Sequence, residues 1–222
     1  MNSHVVKVLE SKFITHDVKK FVIERPEGYN FIPGQGTDVS INFPEWKDQL
    51  RPFTFTNLKD SKNLEFMIKL YNNRNGVTKM LGRINAGDEL ILHDVFGAIQ
   101  YKGPGVFIAA GTGITPFIAI FRELYKQNKL RGNRLIYANK TSEDIIMEQE
   151  LFKMFKNDFV NVLTRENVIG FLGKRIDRKF LIENIVDFNQ HFYVCGPEDF
   201  VNDITKLLID LGANPNTLVF EN

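Results

Sequence analysis

The chain has 222 residues, 43% hydrophobic and 25% charged, enough for a buried core in one large domain or two small ones. Its 28 lysines and arginines balance 27 aspartates and glutamates, so no overall charge draws it to nucleic acid or to an anionic membrane. The single cysteine, Cys195, excludes an intramolecular disulfide, a four-cysteine iron–sulfur site and a C-x-x-C redox pair within this sequence.

The opening MNSHVVKVLESKF has no apolar signal core, and no run approaches the roughly 18 consecutive apolar residues of a membrane span. A reducing, cytoplasmic setting is therefore expected. Short β-favouring runs then follow one another: Val5 to Ile14, Lys20 to Glu24, Thr37 to Phe43, Pro52 to Thr56, Leu64 to Leu70 and Glu89 to Asp94. Such a series, broken by turn residues, predicts an antiparallel barrel or sandwich. Inside it, after the turn signal Asn75-Gly76, the residues Val77, Met80, Leu81 and Ile84 fall at helical spacing and predict a short helix over 77–84.

From about Lys102 the style changes. Strand-like runs at Val106 to Ala110, Leu135 to Ala138, Val160 to Leu163, His191 to Cys195 and Thr217 to Phe220 alternate with helix-like segments. After Pro116, the residues Phe117, Ile120, Phe121, Leu124 and Tyr125 form one apolar stripe; Phe200, Ile204, Leu207, Leu208 and Leu211 form another. Both read as one-sided helices packed on a sheet. The alternation predicts a doubly wound α/β domain whose parallel sheet binds ligands at the carboxyl ends of its strands. The boundary is placed at Lys102-Gly103-Pro104-Gly105, giving a barrel domain over 1–102 and an α/β domain over 103–222.

Three segments carry candidate chemistry. Gly111-Thr112-Gly113-Ile114-Thr115-Pro116 lies between a buried strand and an amphipathic helix. Its glycines admit close backbone approach, and Pro116 suits a first helical turn whose N–H groups face an anion such as a pyrophosphate. A tight turn without a ligand is the plainer alternative, because glycine-rich motifs are permissive. Gly76-Val77-Thr78 opens the short helix in the same manner, and it too can be no more than a helix start. In Arg51-Pro52-Phe53-Thr54-Phe55-Thr56, strand alternation puts Arg51, Phe53 and Phe55 on one side and Thr54 and Thr56 on the other. Taken alone, the two phenylalanines are ordinary core residues.

In order along nearly the whole chain, these segments resemble the ferredoxin–NADP⁺ reductase family. Phe31-Ile32-Pro33-Gly34-Gln35 is similar to its F-x-P-G-Q turn, Arg51 to Thr54 to its R-x-Y-[ST] flavin motif, and Gly76-Val77-Thr78 to its G-x-x-[ST] phosphate site. Gly111 to Pro116 resembles its G-T-G-[IV]-x-P loop, and Cys195-Gly196-Pro197 its C-G-P motif. Asp94 and Val95 depart from its G-P-x-G turn.

The resemblance implies a flavin-binding barrel followed by a nicotinamide-nucleotide domain, with FAD as cofactor. Arg51 then binds the flavin phosphates, Phe53 lies against the isoalloxazine and Thr54 near flavin N5, with Pro52, Lys69, Leu70 and Tyr71 as further flavin contacts. Thr112 and Cys195 guide the nicotinamide, while Gly111, Gly113, Thr115 and Pro116 of the nucleotide loop and Gly196 and Pro197 are further cofactor-binding residues. Glu221 matches a carboxylate near the nicotinamide. Phe53 stands where the family has tyrosine, which keeps the stacking face and loses a hydroxyl. Asn222 ends the sequence where the family has an aromatic cover for the flavin, so the flavin is expected to be more open unless Phe220 covers it. Thr164-Arg165 and Lys174-Arg175 resemble a 2′-phosphate pocket, which favours NADPH over NADH, although Glu166 is near enough to neutralise Arg165.

The implied reaction is hydride transfer between NAD(P)H and bound FAD, with the two domains presenting their ligands to each other. Electrons then pass to a separate carrier such as ferredoxin or flavodoxin, or to a small molecule. A free-flavin or ferric reductase is the alternative, and a non-catalytic redox-sensing subunit a third. His4, His16, His93 and His191 lack metal-ligand spacing, and no metal is expected; Glu143-Asp144 and Glu148-Gln149-Glu150 read as helix-start and surface charges.

Overall fold

Runs rich in valine, isoleucine and phenylalanine, each ended by turn residues, become strands in both halves of the chain. The computed structural model describes residues 3–71, 73, 75–97, 99–169, 171–173 and 175–220. Contacts divide the chain into two units: 1–97 with 115–123, and 98–114 with 124–222.

The first unit holds β1 (His4–Phe13), β2 (Val18–Ile23), β3 (Gly36–Ile41), β4 (Arg51–Thr54), β5 (Leu64–Lys69), the short helix α1 (Val77–Leu81) and β6 (Glu89–Phe96). The strands form an antiparallel sheet in the order β4-β3-β6-β1-β2-β5. Just beyond β4 the Thr56 N–H donates to the Glu65 carbonyl on β5 at 2.9 Å, which ties the two ends of the sheet together as a barrel. Phe21, Ile23, Ile41, Phe55, Phe66 and Leu90 fill its interior with no accessible surface.

Helix α1 is shorter than its hydrophobic spacing predicts. It ends at Leu81, and Gly82, Arg83 and Ile84 instead make tight turn bonds back to the carbonyls of Lys79, Met80 and Leu81. Ile84 is nevertheless buried, so its apolar character reports core packing in a turn.

The remaining strands are β7 (Gly105–Ala110), β8 (Arg134–Asn139), β9 (Phe159–Leu163), β10 (His191–Cys195) and β11 (Leu218–Phe220), with helices α2 (Thr115–Lys126), α3 (Glu148–Phe155), α4 (Arg178–Asn184) and α5 (Glu198–Asp210) between them. All strand pairs in this sheet are parallel, in the order β11-β10-β7-β8-β9. The chain winds outward from β7 through β8 to β9, then returns to the other side of β7 as β10. That reversal makes the carboxyl ends of β7 and β10 the switch point of a doubly wound sheet. Helix α5 lays its expected stripe on the sheet core, Ile204 and Leu208 buried and Phe200, Leu207 and Leu211 partly so, and also buries Val201, which the stripe did not include.

Helix α2 departs from the one-sided reading. Pro116 through Phe121 are all buried, while Tyr125, assigned to the apolar stripe, is 41% exposed. The contact division runs through this helix, and residues 115–123 group with the first unit. Arg122 shows the reason: its guanidinium donates to the Thr56 carbonyl at 2.8 Å and to Glu65 Oε1 at 2.7 Å. Glu143 and Asp144 lie in a single 3-10 turn, Ser142–Asp144, closed by a reciprocal Thr141–Asp144 capping box. Among the described residues, no helix is long and apolar enough to cross a membrane.

Candidate functional site

Strand β4 runs along one end of the barrel sheet and presents the first group of candidate residues. Arg51 and Pro52 are exposed, and among the described residues the Arg51 guanidinium bonds only the Leu50 carbonyl, at 2.6 Å. Phe53 is half-buried against the barrel core, its ring 6.5 Å from that of Phe66 and tilted by 57°. Phe55 packs on the same Phe66, so the alternation read from the sequence holds for this pair. The Thr54 hydroxyl donates to the Thr115 hydroxyl at 3.0 Å. A cation, an aromatic face and a hydroxyl thus follow one another along an accessible strand.

The residues after β5 separate by role. The Lys69 ammonium is held by Asp17 Oδ2 at 2.6 Å. Leu70 is 4% exposed and faces the barrel core, so its side chain is committed to packing; Tyr71 is exposed. Val77 is likewise core, while Gly76 and Thr78 are half-buried. Gly76 has extended backbone, which any residue adopts, and among the described residues no atom lies within 4 Å of where its side chain would project. Neither crowding nor backbone angle accounts for glycine there. The first N–H groups of α1 therefore face open space, which leaves room for an anion.

Beneath this turn sits a residue that the motifs do not reveal. Lys19 is 3% exposed, and its ammonium donates to the carbonyls of Ile84 at 2.6 Å and Gly82 at 3.2 Å, just after α1. It also lies 5.6 Å from the Phe13 ring centroid and 5.4 Å from that of Phe21. Burial pulls its pKa below the ordinary lysine value, with nearby Asp88 opposing. The available signal was strand alternation, which puts Lys19 on the face of Phe21 and Ile23.

In the second unit the predicted loop and the C-G-P motif meet at the switch point. Gly111–Ile114 forms a 3-10 turn directly after β7, and α2 begins at Thr115 with Pro116 in its first turn. Gly111 has φ +54°, in the left-handed region that favours glycine. Gly113 is needed for another reason: a Cβ there would overlap the backbone of Cys195 and Gly196. Thr112 and Thr115 are half-buried, Cys195 is 8% exposed and Pro197 is exposed. The structure therefore brings Gly113 against Cys195 and Gly196 at the carboxyl end of the sheet.

Arg165 and Arg175 are exposed. The Glu166 carboxylate accepts from both the N–H (2.7 Å) and the hydroxyl (2.9 Å) of Ser142, and among the described residues it makes no ion pair with Arg165. Glu221, expected near the nicotinamide, and Lys174 lie outside the described residues.

Comparison with known proteins agrees with this division of labour. The family model for the oxidoreductase FAD-binding domain matches residues 5–101, and that for the oxidoreductase NAD-binding domain matches residues 107–206. The reductase component of propane 2-monooxygenase from Mycolicibacterium smegmatis is 26% identical over 97% of this chain, which spans 65% of that relative's length. NADH–cytochrome b5 reductase 1 from Arabidopsis thaliana is 29% identical over 94% of the chain and 80% of the relative. A ferredoxin NADP⁺ reductase from Neisseria gonorrhoeae, solved with bound FAD and NADP, superposes with a TM-score of 0.87 at 23% identity, covering 100% of this chain and 99% of that one.

Proposed function

The chain belongs to the ferredoxin–NADP⁺ reductase family, and from that premise we propose that it is an NAD(P)H-dependent flavoprotein reductase that passes electrons to a separate carrier. The observation that carries this reading is the meeting of Gly113 with Cys195 and Gly196 at the switch point of a parallel sheet, in a chain that also displays Arg51-Pro52-Phe53-Thr54 on an accessible barrel strand. Residues 1–102 form the flavin domain and 103–222 the nucleotide domain.

Arg51 and the N–H groups at Gly76–Thr78 bind the flavin phosphates, with Pro52, Lys69, Leu70 and Tyr71 shaping that side. Phe53 lies against the isoalloxazine and Thr54 offers its hydroxyl beside the ring. Gly111 to Pro116 receives the nucleotide diphosphate, while Thr112, Cys195, Gly196, Pro197 and Glu221 place the nicotinamide. Bound flavin supplies the hydride-accepting and electron-releasing chemistry; the protein supplies placement and electrostatics.

NADPH is the favoured donor, because Glu166 is spent on Ser142 and leaves Arg165, with Arg175, to receive a 2′-phosphate. The acceptor is a protein carrier of the ferredoxin or flavodoxin kind, in keeping with relatives named as reductase components and cytochrome b5 reductases. Anaerobic mixing with NADPH is expected to bleach the oxidised-flavin band at about 450 nm. No bleaching by either NADPH or NADH would overturn the enzymatic reading.

A second reading, reduction of free flavin or of ferric chelates, draws on Phe53. Its half-buried ring has no hydroxyl with which to hold the flavin chain. Loss of flavin during gel filtration, with activity restored by added FMN or riboflavin as substrates, would favour it over a protein acceptor.

A further inference from the structure

Tyr137 occupies a core position of β8 with no accessible surface, paired across the sheet with Ala109 of β7. The rest of Leu135-Ile136-Tyr137-Ala138 is apolar, and phenylalanine would fill the same space. The hydroxyl therefore needs its own reason, since a buried hydroxyl without partners is costly. It has two partners, both in loops at the carboxyl ends of the strands: it donates to the Gly111 carbonyl at 2.9 Å and accepts from the Ile146 N–H at 3.4 Å. Burial also raises its pKa above the ordinary tyrosine value, so the hydroxyl stays protonated and able to donate.

Gly111 has left-handed backbone and open space where a side chain would stand, so no side chain of its own anchors it. In a trans peptide the carbonyl and the following N–H point in opposite directions. A Gly111 carbonyl drawn inward to Tyr137 therefore aims the Thr112 N–H away from Tyr137. We propose that Tyr137 is a positioning residue for nucleotide binding: its hydroxyl sets the Gly111–Thr112 peptide of the diphosphate loop and ties that loop to the segment ending at Ile146. The inference rests on the reading of Gly111 to Pro116 as the diphosphate site.

The test uses the flavin-loaded protein and the variant Tyr137→Phe, which keeps the ring. Dissociation constants for NADP⁺ and, in parallel, NAD⁺ are compared with inhibition by adenosine 2′-phosphate, which lacks the diphosphate. For the better-bound dinucleotide the variant is expected to bind about tenfold more weakly, the scale of losing a buried supporting hydrogen bond. Adenosine 2′-phosphate should change by less than about twofold, and KM should rise more than kcat falls. Protection of the Thr112 amide by bound dinucleotide should weaken. An unchanged dinucleotide constant, or equal weakening of dinucleotide and adenosine 2′-phosphate, would overturn the proposal. If Tyr137→Phe fails to fold, Thr112 exchange in the parent, measured with and without dinucleotide, decides instead: slowing of the Thr112 amide on dinucleotide binding supports a peptide aimed at the ligand, and no slowing overturns it. If the parent protein binds neither dinucleotide, the reading of the loop fails before the role of Tyr137 is reached.

Discussion

Gly76, at the start of α1, has extended backbone and no described atom within 4 Å of where a side chain would project, whereas Gly113, just ahead of α2, lies against the backbone of Cys195 and Gly196. Each stands in a short G-x-x or G-x-G motif next to a threonine, and from motif alone they look equivalent. Their surroundings differ because the first turn rides on the outside of a barrel and is held from below, by Val77 in the core and Lys19 under the exit of α1. The second is wedged between two parallel strands. Packing by itself accounts for glycine at position 113, whereas at position 76 neither backbone angle nor a described neighbour does, so substitution at 76 reads out a ligand and substitution at 113 reads out the fold.

Substitution by alanine separates the two most sharply. Gly113→Ala forces the loop after β7 away from β10, and is expected to cost about 3 kcal/mol or more in a urea melt, the upper range for overpacking. Gly76→Ala has room and permitted backbone, so its cost in the flavin-free protein should stay below about 1 kcal/mol while flavin affinity falls. Comparable destabilisation by both would erase the distinction. Next in size is Arg51→Ala. Because this guanidinium serves no described structural contact beyond its own neighbour's carbonyl, stability should hold while flavin binding weakens by about 2 kcal/mol, the scale of a charge-assisted hydrogen bond. Fluorescence of released flavin measures it. Unchanged affinity would remove Arg51 from the site.

Both architectures were legible from periodicity and order. Each predicted strand corresponds to an observed one with ends within two residues, because alternation and buried apolar runs survive in any packing of these elements. Helix α2 was misread as one-sided, since apolar residues at every position from Phe117 to Phe121 match a stripe as readily as a helix covered on more than one face. The candidate site was legible where a motif is contiguous, as in Arg51 to Thr54 and Gly111 to Pro116. The supports were not. Lys19, Asp17 and Tyr137 act through carbonyls and charges brought near by folding, and no local spacing encodes those partners. Glu166 shows the same limit: adjacency suggested that it neutralises Arg165, whereas the chain directs its carboxylate to Ser142.

A smaller effect bears on the donor. Arg165→Ala should weaken NADPH binding by about tenfold and leave NADH nearly unchanged, because only the 2′-phosphate needs the guanidinium. Stopped-flow reduction by each donor measures the ratio. Equal losses for both would assign Arg165 to something shared, such as adenine, and a preference for NADH in the parent would overturn the donor proposed above.

The smallest expected effect sets the buried polar groups of the barrel against those of the parallel sheet at alkaline pH. Burial raises the pKa of Tyr137 and Tyr193 in the sheet and of Tyr29 in the barrel, and lowers that of Lys19 in the barrel. A tyrosine whose folded pKa is raised adds stability that is complete below the unfolded value of about 10 and is lost as pH climbs through the folded value. Lys19 has the opposite sign: below about 10.5 the unfolded chain holds its proton more tightly, so stability recovers as pH rises from the folded value towards that point. The barrel thus has one group of each sign, and the sheet has two tyrosines with no offset. Helical circular dichroism, which comes mainly from α3, α4 and α5 of the second unit, should therefore decline at lower pH than the fluorescence of Trp46, the single tryptophan, which packs on the barrel core. Tyr137→Phe should flatten the helical decline. Coincident transitions that the variant leaves unmoved would mean that the buried tyrosines do not set the alkaline limit.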